Sequence, residues 1–403
     1  MRPSPALARV ARGDLCSGCG GCAGLAPGRI EMVMEGPGWL RPRQIADLEP
    51  AREAAIAATC PGLAVEQDRP GHPYWGPALE CRTGHSTDPT LRRQASSGGG
   101  ISALLVHLLE TRAVDRVIQV AASDEVPVAN RTVLSVTEAE VFAAAGSRYA
   151  PSAPLARLEE MLETPGKAAF VGKPCDVAAL RAIAKRDPRV DAKIPYLLSF
   201  FCAGVPSQAG AEAVVARLGV APDDLAAFRY RGDGWPGFAT ATRRDGGAER
   251  MSYNDSWGDI LTRHVQFRCK ICPDGVGGAA DAVCADAWEC DENGYPVFEE
   301  REGSSLILSR TEKGEALVRA AMEAGRLEAR PLPLADVAAM QPGQAARKRN
   351  VAARLAAMAA LGRPRPAYRG FDLVARAREN PTGKNLRNFA GTLRRLLRAR
   401  RAG

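Results

Sequence analysis

The 403-residue sequence has no long hydrophobic run, few aromatic residues and only four histidines. No stretch approaches the roughly 20 apolar residues that cross a bilayer, and the N-terminal residues lack the apolar core of a signal peptide. These absences predict a soluble cytoplasmic protein. Because 46% of the residues are hydrophobic and 25% are charged, the chain can bury a core, which excludes a disordered or fibrous protein.

Two common nucleotide-binding signatures are missing from the most glycine-rich turn of the sequence. Residues 96–100 match neither GxGxxG nor GxxxxGK followed by Ser or Thr, which argues against a standard nicotinamide site and against nucleotide hydrolysis there. The four histidines are scattered along the chain, and a lone histidine is more often structural than catalytic. We therefore assign no general acid or base.

The net charge of +8 is unevenly distributed. Residues 343–403 hold 16 Lys and Arg but 2 Asp and Glu, a net charge of +14, and the preceding 342 residues carry −6. The basicity thus belongs to a C-terminal segment attached to a mildly acidic body. Nucleic acid is not predicted as a partner.

The sequence has an unusually large number of cysteines, eleven in all. Cytoplasmic thiols stay reduced, so these residues indicate metal or redox chemistry. Cys16, Cys19 and Cys22 form CxxCxxC, and Cys60 is followed directly by Pro61. That combination is typical of a ferredoxin-like 4Fe-4S cluster. A structural zinc site is the alternative, disfavoured because no histidine lies near.

A second set of four cysteines is less regular. Cys175 and Cys202 follow two predicted buried strands, at residues 167–172 and 194–201, and Cys269 and Cys272 form CxxC. Open α/β sheets place cofactors at the carboxyl ends of such strands, so we predict a second cluster there. The alternative is one catalytic or merely buried thiol. The remaining cysteines, expected to be buried, are Cys81, Cys284 and Cys290.

A small-residue turn precedes the predicted helix that starts near residue 101. Its free amides and hydroxyls suit a pyrophosphate at a helix N-terminus, although many Gly-rich helix starts only turn the chain. Neighbouring iron–sulfur ligands favour a flavin, which links single-electron to two-electron chemistry. The residues of this turn are Ser96, Ser97, Gly98, Gly99 and Gly100.

Two further positions are candidates for cofactor contact. Ser147, Arg148 and Tyr149 lie in a predicted tight turn suited to a phosphate or a ring, with an ordinary loop as the alternative. Lys173 lies beside Cys175, where a cation would lower a thiol pKa or neutralise a flavin or a cluster.

Several motifs occur in the same order as in a known family: CxxCxxC, ASSGGGISALL, GSRYAPS, FVGKPCDVAALR, FFCAGVPS, FRYRGDGWPG and CKICPDGVGGAADAVCADAW. On these motifs, residues 14–370 resemble the coenzyme F420 hydrogenase/dehydrogenase beta-subunit family, which includes reductases of chlorophyll intermediates. The resemblance implies an FAD-binding α/β protein with one or two 4Fe-4S clusters.

The resemblance also implies roles for individual residues. The CxxCxxC cysteines and Cys60 would hold the first cluster, the turn at 96–99 would cradle the FAD phosphates, and 147–149 would touch the flavin. Lys173 and Cys175 would line the junction with the second cluster. One segment departs from the family pattern of ADIS followed by GDAW: Cys284 could replace a ligand of the second cluster, and Ala285 could crowd a backbone approach.

The predicted fold is mixed α/β with three parts. Residues 1–77 form an N-terminal iron–sulfur segment and linker, residues 78–342 the FAD-binding and second-cluster domain, and residues 343–403 a basic helical extension. The last predicted helix could be a solvated terminus, a docking site for an acidic electron carrier or a contact with an anionic membrane. Its apolar face is predicted to contain Leu386, Phe389, Leu393, Leu396 and Leu397.

The predicted function is that of an FAD-dependent iron–sulfur oxidoreductase. Electrons would pass from a ferredoxin-like donor through the clusters and FAD to a conjugated organic acceptor, such as a deazaflavin or a tetrapyrrole. One alternative is an electron-transfer subunit of a larger hydrogenase or dehydrogenase complex, without a substrate of its own. Another is a zinc-stabilised binding module. The acceptor itself does not follow from the resemblance, because one fold serves several chemistries.

Overall fold

A computed structural model describes residues 1–291 and 297–402, with side chains up to Arg398. The chain begins with a small cysteine-bearing segment. Its first helix is capped by Ser4, whose side-chain oxygen accepts a hydrogen bond from the Leu7 amide at 3.1 Å. The segment consists of α1 (Pro5–Gly13), α2 (Gly21–Leu25), β1 (Ile30–Glu35), β2 (Trp39–Gln44), α3 (Pro50–Thr59) and β3 (Ala64–Glu66).

Strands and helices alternate through the next part of the chain, a pattern that covers a sheet with helices on both faces. These elements are β4 (Glu80–Ser86), α4 (Pro89–Gln94), α5 (Gly100–Glu110), β5 (Arg116–Ala122), β6 (Asn130–Ser135), α6 (Glu138–Ala143), α7 (Leu158–Glu163), β7 (Ala168–Gly172), α8 (Pro174–Ala184), α9 (Arg189–Lys193), β8 (Tyr196–Phe200) and α10 (Gln208–Arg217).

The rest of the body adds a three-stranded antiparallel sheet and completes the main sheet. Thr311 caps α12, because its side chain accepts a hydrogen bond from the Gly314 amide. The elements are β9 (Leu225–Arg229), β10 (Ala239–Arg243), β11 (Ala248–Met251), α11 (Phe267–Lys270), β12 (Ala282–Asp286), β13 (Ser305–Ser309), α12 (Glu312–Glu323), β14 (Leu327–Pro331) and α13 (Val337–Met340).

The main sheet has eight strands in the order β14-β4-β13-β12-β8-β7-β5-β6. Its four central strands, β12, β8, β7 and β5, are parallel. Neighbouring side chains point to opposite faces: Ala169 and Leu198 pack with α5 and α12, whereas Phe170 and Leu197 pack with α7 and α8. The mixed α/β prediction is confirmed.

The C-terminal extension contains α14 (Pro342–Ala360), β15 (Ala367–Arg369), α15 (Leu373–Arg378) and α16 (Thr382–Ala402). Strand β15 pairs in parallel with β3 of the N-terminal segment. Leu396 is buried in a cluster with Val10, Leu15, Phe267, Ile271 and Met358. The extension therefore packs against both cysteine-bearing parts of the chain. None of the described helices is long and apolar enough to cross a membrane.

The apolar face predicted for the last helix is only partly buried. Leu386 is 63% exposed and Leu397 is 45% exposed. The helix instead turns Asn388, Thr392 and Leu396 inward, three residues at intervals of four that share one face. Two of those inward positions are occupied by polar side chains. The spacing of hydrophobic residues alone therefore does not identify them.

Candidate functional site

The carboxyl ends of the parallel strands open into a cavity of about 280 Å³, at the edge where open α/β sheets bind ligands. Cys202, a predicted ligand of the second cluster, lines this cavity. So does every residue predicted to contact FAD except Gly98, namely Ser96, Ser97, Gly99, Gly100, Ser147, Arg148, Tyr149 and Lys173. The structure thus brings the predicted flavin contacts and the second cysteine set together.

The glycine turn leads directly into α5. Gly98 and Gly99 both have φ of +75°, a conformation that favours glycine. A Cβ added at Gly98 would lie 2.7 Å from the Gly303 carbonyl oxygen, and one at Gly100 would lie 2.8 Å from Ser305 Oγ. Packing against the segment around β13 therefore already requires these glycines. The first amides of α5 lack intrahelical acceptors. The Gly100 amide donates to Ser305 Oγ at 3.2 Å, and the next two residues, Ile101 and Ser102, line the cavity.

The loop at residues 146–149 is joined to the glycine turn, because the Ser147 amide donates a hydrogen bond to Ser96 Oγ. The Arg148 guanidinium points to backbone instead of the cavity centre. It donates to the carbonyl oxygens of Ala129 at 2.7 Å and Phe228 at 2.8 Å, and burial lowers its pKa. Arg148 thus fixes the loop, while its neighbours face the cavity.

A wall of charged and aromatic side chains closes another side of the cavity. Arg231 is buried and forms two hydrogen bonds with Asp286, at 2.9 and 2.5 Å. Its guanidinium carbon lies 4.9 Å from the ring centroids of both Tyr253 and Trp288. Trp235 stacks on Trp288 with 4.9 Å between centroids. This wall offers planar surfaces and a fixed charge pair to a conjugated molecule.

Lys173 and Asp176 form a buried ion pair, with 2.7 Å between Nζ and Oδ2. Lys173 Nζ also donates to Ser152 Oγ at 2.9 Å. Burial alone would lower the pKa of Lys173, but the Asp176 carboxylate reverses this and raises it above its usual value. The lysine is therefore held as a cation beside Cys175, which lies in the first turn of α8.

The four N-terminal cysteines gather at the start of the chain. Burial raises the pKa of Cys19 to about 12, and the neighbouring Cys60 adds to that rise. The pKa of Cys22 is also raised by burial and then by Cys19, Cys16 and Cys60. The Gly18 amide donates to Cys16 Sγ at 3.4 Å. Cys19 is buried and the other three cysteines are half-buried. Four thiols that repel one another as thiolates suit a strongly cationic group bound among them.

The second set gathers in the same way beside the cavity. Burial raises the pKa of Cys202 to about 12, followed by the effect of Cys269. Cys202 and Cys269 also contribute to the raised pKa of Cys175, and Cys269 contributes to that of Cys272. Two donors, the Val205 amide and Gln266 Nε2, each lie 3.4 Å from Cys269 Sγ. Such hydrogen bonds to sulfur are one means of tuning a cluster.

Within residues 1–291 and 297–402, no three His, Cys, Asp or Glu side chains are grouped as ligands of a single metal ion. A 4Fe-4S cluster makes a different demand, since each of its four thiolates binds a separate iron. Two groups of four cysteines, with Cys19 buried and the others half-buried, all have free thiols and match that donor set. The residues present therefore fit two clusters.

Cys284 and Ala285, where the sequence departs from the family pattern, lie in the core. Cys284 is buried in β12, and burial alone raises its pKa to about 12. By contrast, the pKa of Cys175, Cys202 or Cys272 responds to a neighbouring cysteine. Cys284 nevertheless lines the same cavity as Cys202. Of the other two cysteines, Cys81 is buried and Cys290 is half-buried.

Arg268 lies between the two cysteine sets. It is 2% exposed and donates a hydrogen bond at 2.8 Å to the carbonyl oxygen of Pro61, the residue after Cys60. Its positive charge interacts with the thiolates of Cys16 and Cys60 in the first set. In the second set it interacts with the thiolates of Cys272, Cys175 and Cys269. None of the ion pairs among the described residues includes Arg268.

Sequence reasoning did not assign Arg268, Arg231 or Asp286. Signals for all three were present, because Arg268 directly precedes the CKIC motif, and the other two belong to FRYRGDGWPG and CADAW. Their roles depend on contacts between residues far apart in the chain, which spacing does not reveal.

Comparison with protein families decides the classification. The N-terminal model of the coenzyme F420 hydrogenase/dehydrogenase beta subunit matches residues 81–159, and the C-terminal model matches residues 166–334. The chain belongs to this family. Both models leave the cysteines at 16–60 and the C-terminal extension outside the matched range.

Individual members of the family are distant in sequence. The coenzyme F420 hydrogenase subunit beta of Methanococcus voltae is 28% identical over 256 residues, which cover 60% of this chain and 81% of the relative. The same subunit of Methanothermobacter thermautotrophicus is 24% identical over 300 residues, or 72% and 99% of the two chains. The F420-dependent formate dehydrogenase 1 subunit beta of Methanococcus maripaludis is 24% identical over 260 residues, or 60% and 65%.

A solved structure shares the fold. A chain of the F420-reducing hydrogenase complex from Methanosarcina barkeri superimposes with a TM-score of 0.53 at 21% identity. The match covers 70% of this chain and 96% of the other. At this identity the likeness shows the architecture alone.

Proposed function

We propose that this protein is an electron-transfer oxidoreductase that binds FAD and two 4Fe-4S clusters and passes electrons to a conjugated organic acceptor. The observation that carries the proposal is the meeting of the glycine turn, the loop at 146–149 and Cys202 in one cavity. The first cysteine set adjoins the second through Arg268. Both cysteine sets and the cavity would then lie within one folded unit.

The two cysteine sets would hold the clusters, the first with Cys16, Cys19, Cys22 and Cys60, the second with Cys175, Cys202, Cys269 and Cys272. The glycine turn would hold the FAD phosphates. When bound, the flavin supplies the conversion between single-electron and two-electron chemistry. The chain's own part is to shield the cavity from water, keep Lys173 charged and present the aromatic wall of Tyr253 and Trp288 to a planar acceptor.

The proposed electron donor is a ferredoxin-like carrier, and the proposed acceptor is a deazaflavin or a tetrapyrrole. We place the protein in the cytoplasm, since eleven free cysteines require a reducing compartment. No nucleic acid takes part in the proposal.

The test is metal and flavin analysis of anaerobically purified protein. We expect roughly eight irons and one FAD per chain. Replacing Cys19 or Cys202 by Ser should each remove about half of the iron, whereas Cys290→Ser should leave the full content. Protein with neither iron nor flavin, or with stoichiometric zinc, would contradict the proposal. Loaded protein would then be mixed with deazaflavin, a tetrapyrrole or ferredoxin to see which of them changes the flavin absorbance.

A second candidate function is an electron-transfer subunit without a substrate of its own. It is favoured by the relatives, which are named as subunits, and by the structural neighbour, which is a chain of a hydrogenase complex. Co-purification of a partner, with turnover only in the complex, would support this candidate over the first.

A further inference from the structure

The last helix presents an exposed basic face, formed by Arg387, Arg394, Arg395 and Arg398. No acidic residue follows Glu379 in the sequence. Several exposed arginines elsewhere have carboxylate partners, as in the pairs of Arg43 with Glu31 and Arg189 with Glu159. Within the part of the chain that the structure describes, no ion pair involves any of the four residues of the basic face. Their charge is free to act on a partner.

The basic face is tied to the second cysteine set. Asn388, on the inward side of the same helix, accepts hydrogen bonds from Arg354 at 3.2 and 3.1 Å. Arg354 donates in turn to the backbone oxygen of Lys270, which lies between Cys269 and Cys272. The helix is thus anchored beside the loop that carries two proposed ligands.

More positive charge surrounds the same loop. Arg347 of α14 donates hydrogen bonds at 2.7 Å to the carbonyl oxygens of Cys202 and Ala203. Burial and then Arg395 and Arg347 lower the pKa of Arg354 to about 10. Several cations that repel one another therefore lie over the second set, and Arg395 lies on the outer side of this group. A negatively charged partner would relieve this repulsion.

We propose that the basic face is the docking surface for a small acidic one-electron carrier protein, which delivers electrons at the second cysteine set. This inference rests on the proposed function. In each encounter the reduced carrier loses one electron and the loaded protein gains one, so two encounters supply the pair for a two-electron acceptor. An anionic membrane would also attract the arginines, but it would not require their position beside Cys269 and Cys272.

The test compares two triple variants of the full-length, cofactor-loaded protein. R394Q/R395Q/R398Q neutralises the basic face. R217Q/R250Q/R319Q removes the same charge from exposed positions on α10, β11 and α12. The probe is an acidic ferredoxin, with its dissociation constant measured by calorimetry and its rate of flavin and cluster bleaching measured by anaerobic stopped flow. Both measurements are repeated over a range of salt concentrations.

We expect the first triple to weaken ferredoxin binding and slow bleaching by about tenfold or more at low salt, with a shallower salt dependence. The control triple should change both by less than about twofold. Equal effects of the two triples would overturn the proposal. So would loss of binding to phosphatidylglycerol vesicles by the first triple with ferredoxin kinetics unchanged, which would indicate a membrane contact. The extent of bleaching by excess dithionite reports the cofactors separately, so wild-type protein that does not bleach would refute the proposed function instead.

Discussion

The buried cations around the cavity and the cysteine sets differ in how they are compensated. Arg231 and Lys173 each have a carboxylate partner, at Asp286 and Asp176. Arg268 is equally buried, but its guanidinium lies over the Tyr368 ring, 5.6 Å from the centroid, and has cysteine sulfurs on both sides. A buried charge without compensation is costly, so the placement of Arg268 makes sense when the surrounding sulfurs carry negative charge, as cluster ligands do.

The first prediction concerns that charge. In protein loaded with the proposed clusters, Arg268→Gln should lower their reduction potentials, because the added electron loses a nearby positive charge. We expect a shift of at least about 60 mV, which corresponds to tenfold in a one-electron equilibrium. Redox titration followed by electron paramagnetic resonance measures it.

The conservative variant Arg268→Lys is the control, since it keeps the charge but not the planar hydrogen-bonding group. Its potentials should stay closer to those of the wild type. Unchanged potentials in Arg268→Gln, at full iron content, would show that the residue serves packing only.

The second prediction concerns the Lys173–Asp176 pair. Asp176→Asn leaves a buried ammonium group without its carboxylate, which should lower the free energy of unfolding by about 3–5 kcal/mol. Denaturant titration measures the loss. Asp68→Asn, which breaks the exposed pair with Lys185 at 2.9 Å, should cost less than about 1 kcal/mol. Similar losses in the two variants would mean that the buried pair contributes little.

Residue spacing predicts part of the site. The cysteine sets could be proposed from sequence because CxxCxxC and CxxC bring ligands together locally. The pairing of Arg231 with Asp286, and the contacts of Arg268 with residues on both sides, could not be. They arise where separate strands and loops meet, and only the sheet order brings them together.

Among the elements, the glycine turn before α5 has the sharpest steric requirement. Gly98→Ala should cost more than the roughly 1–2 kcal/mol of a left-handed alanine, because its Cβ would also meet the Gly303 oxygen at 2.7 Å. It should also lower the proposed FAD content. Thermal unfolding and flavin analysis check both effects.

Gly219 provides the matched control. Its φ of +74° is nearly the same, but a Cβ there has no neighbour within 4 Å. Gly219→Ala should therefore show the backbone cost alone and keep its flavin. If both variants lost stability equally, close packing at the turn would be refuted.

The last helix offers a comparison between adjacent leucines. Leu396 is 3% exposed, whereas Leu397 is 45% exposed. Leu396→Ala should cost about 2–5 kcal/mol, from lost burial and the cavity left behind, and Leu397→Ala about 0.5 kcal/mol or less. Chemical denaturation distinguishes them. A reversed order would show that the helix packs with another face.

Periodicity predicts elements better than it predicts their packing. The strands β7 and β8 and the helix α5 all occur where the sequence pattern places them. Helix α16 is also predicted, and so is the inward position of Leu396, but that of Asn388 is not, because Asn388 accepts hydrogen bonds from Arg354 that a hydrophobic pattern does not record.

At the scale of the whole molecule, the sequence divides charge between an acidic body and a basic extension, and we expect the cofactor chemistry to reside in the body. Deleting residues 384–403 tests this division. We expect iron and FAD to be retained at low temperature. The melting temperature should fall by at least about 5 °C, because the deletion removes the contacts that Leu396 and Asn388 make with the rest of the chain. Loss of iron or flavin on deletion would contradict the division.

The pairing of β15 with β3 has a consequence for biosynthesis. Residues 64–66, just after Cys60, obtain their strand partner from residues 367–369, which leave the ribosome long after the N-terminal cysteines. Proteins are made from the N-terminus at about 5–20 residues per second. The four N-terminal cysteines are therefore outside the ribosome for many seconds before this contact can form. The machinery that inserts iron would meet those thiols while the segment around them is still incomplete.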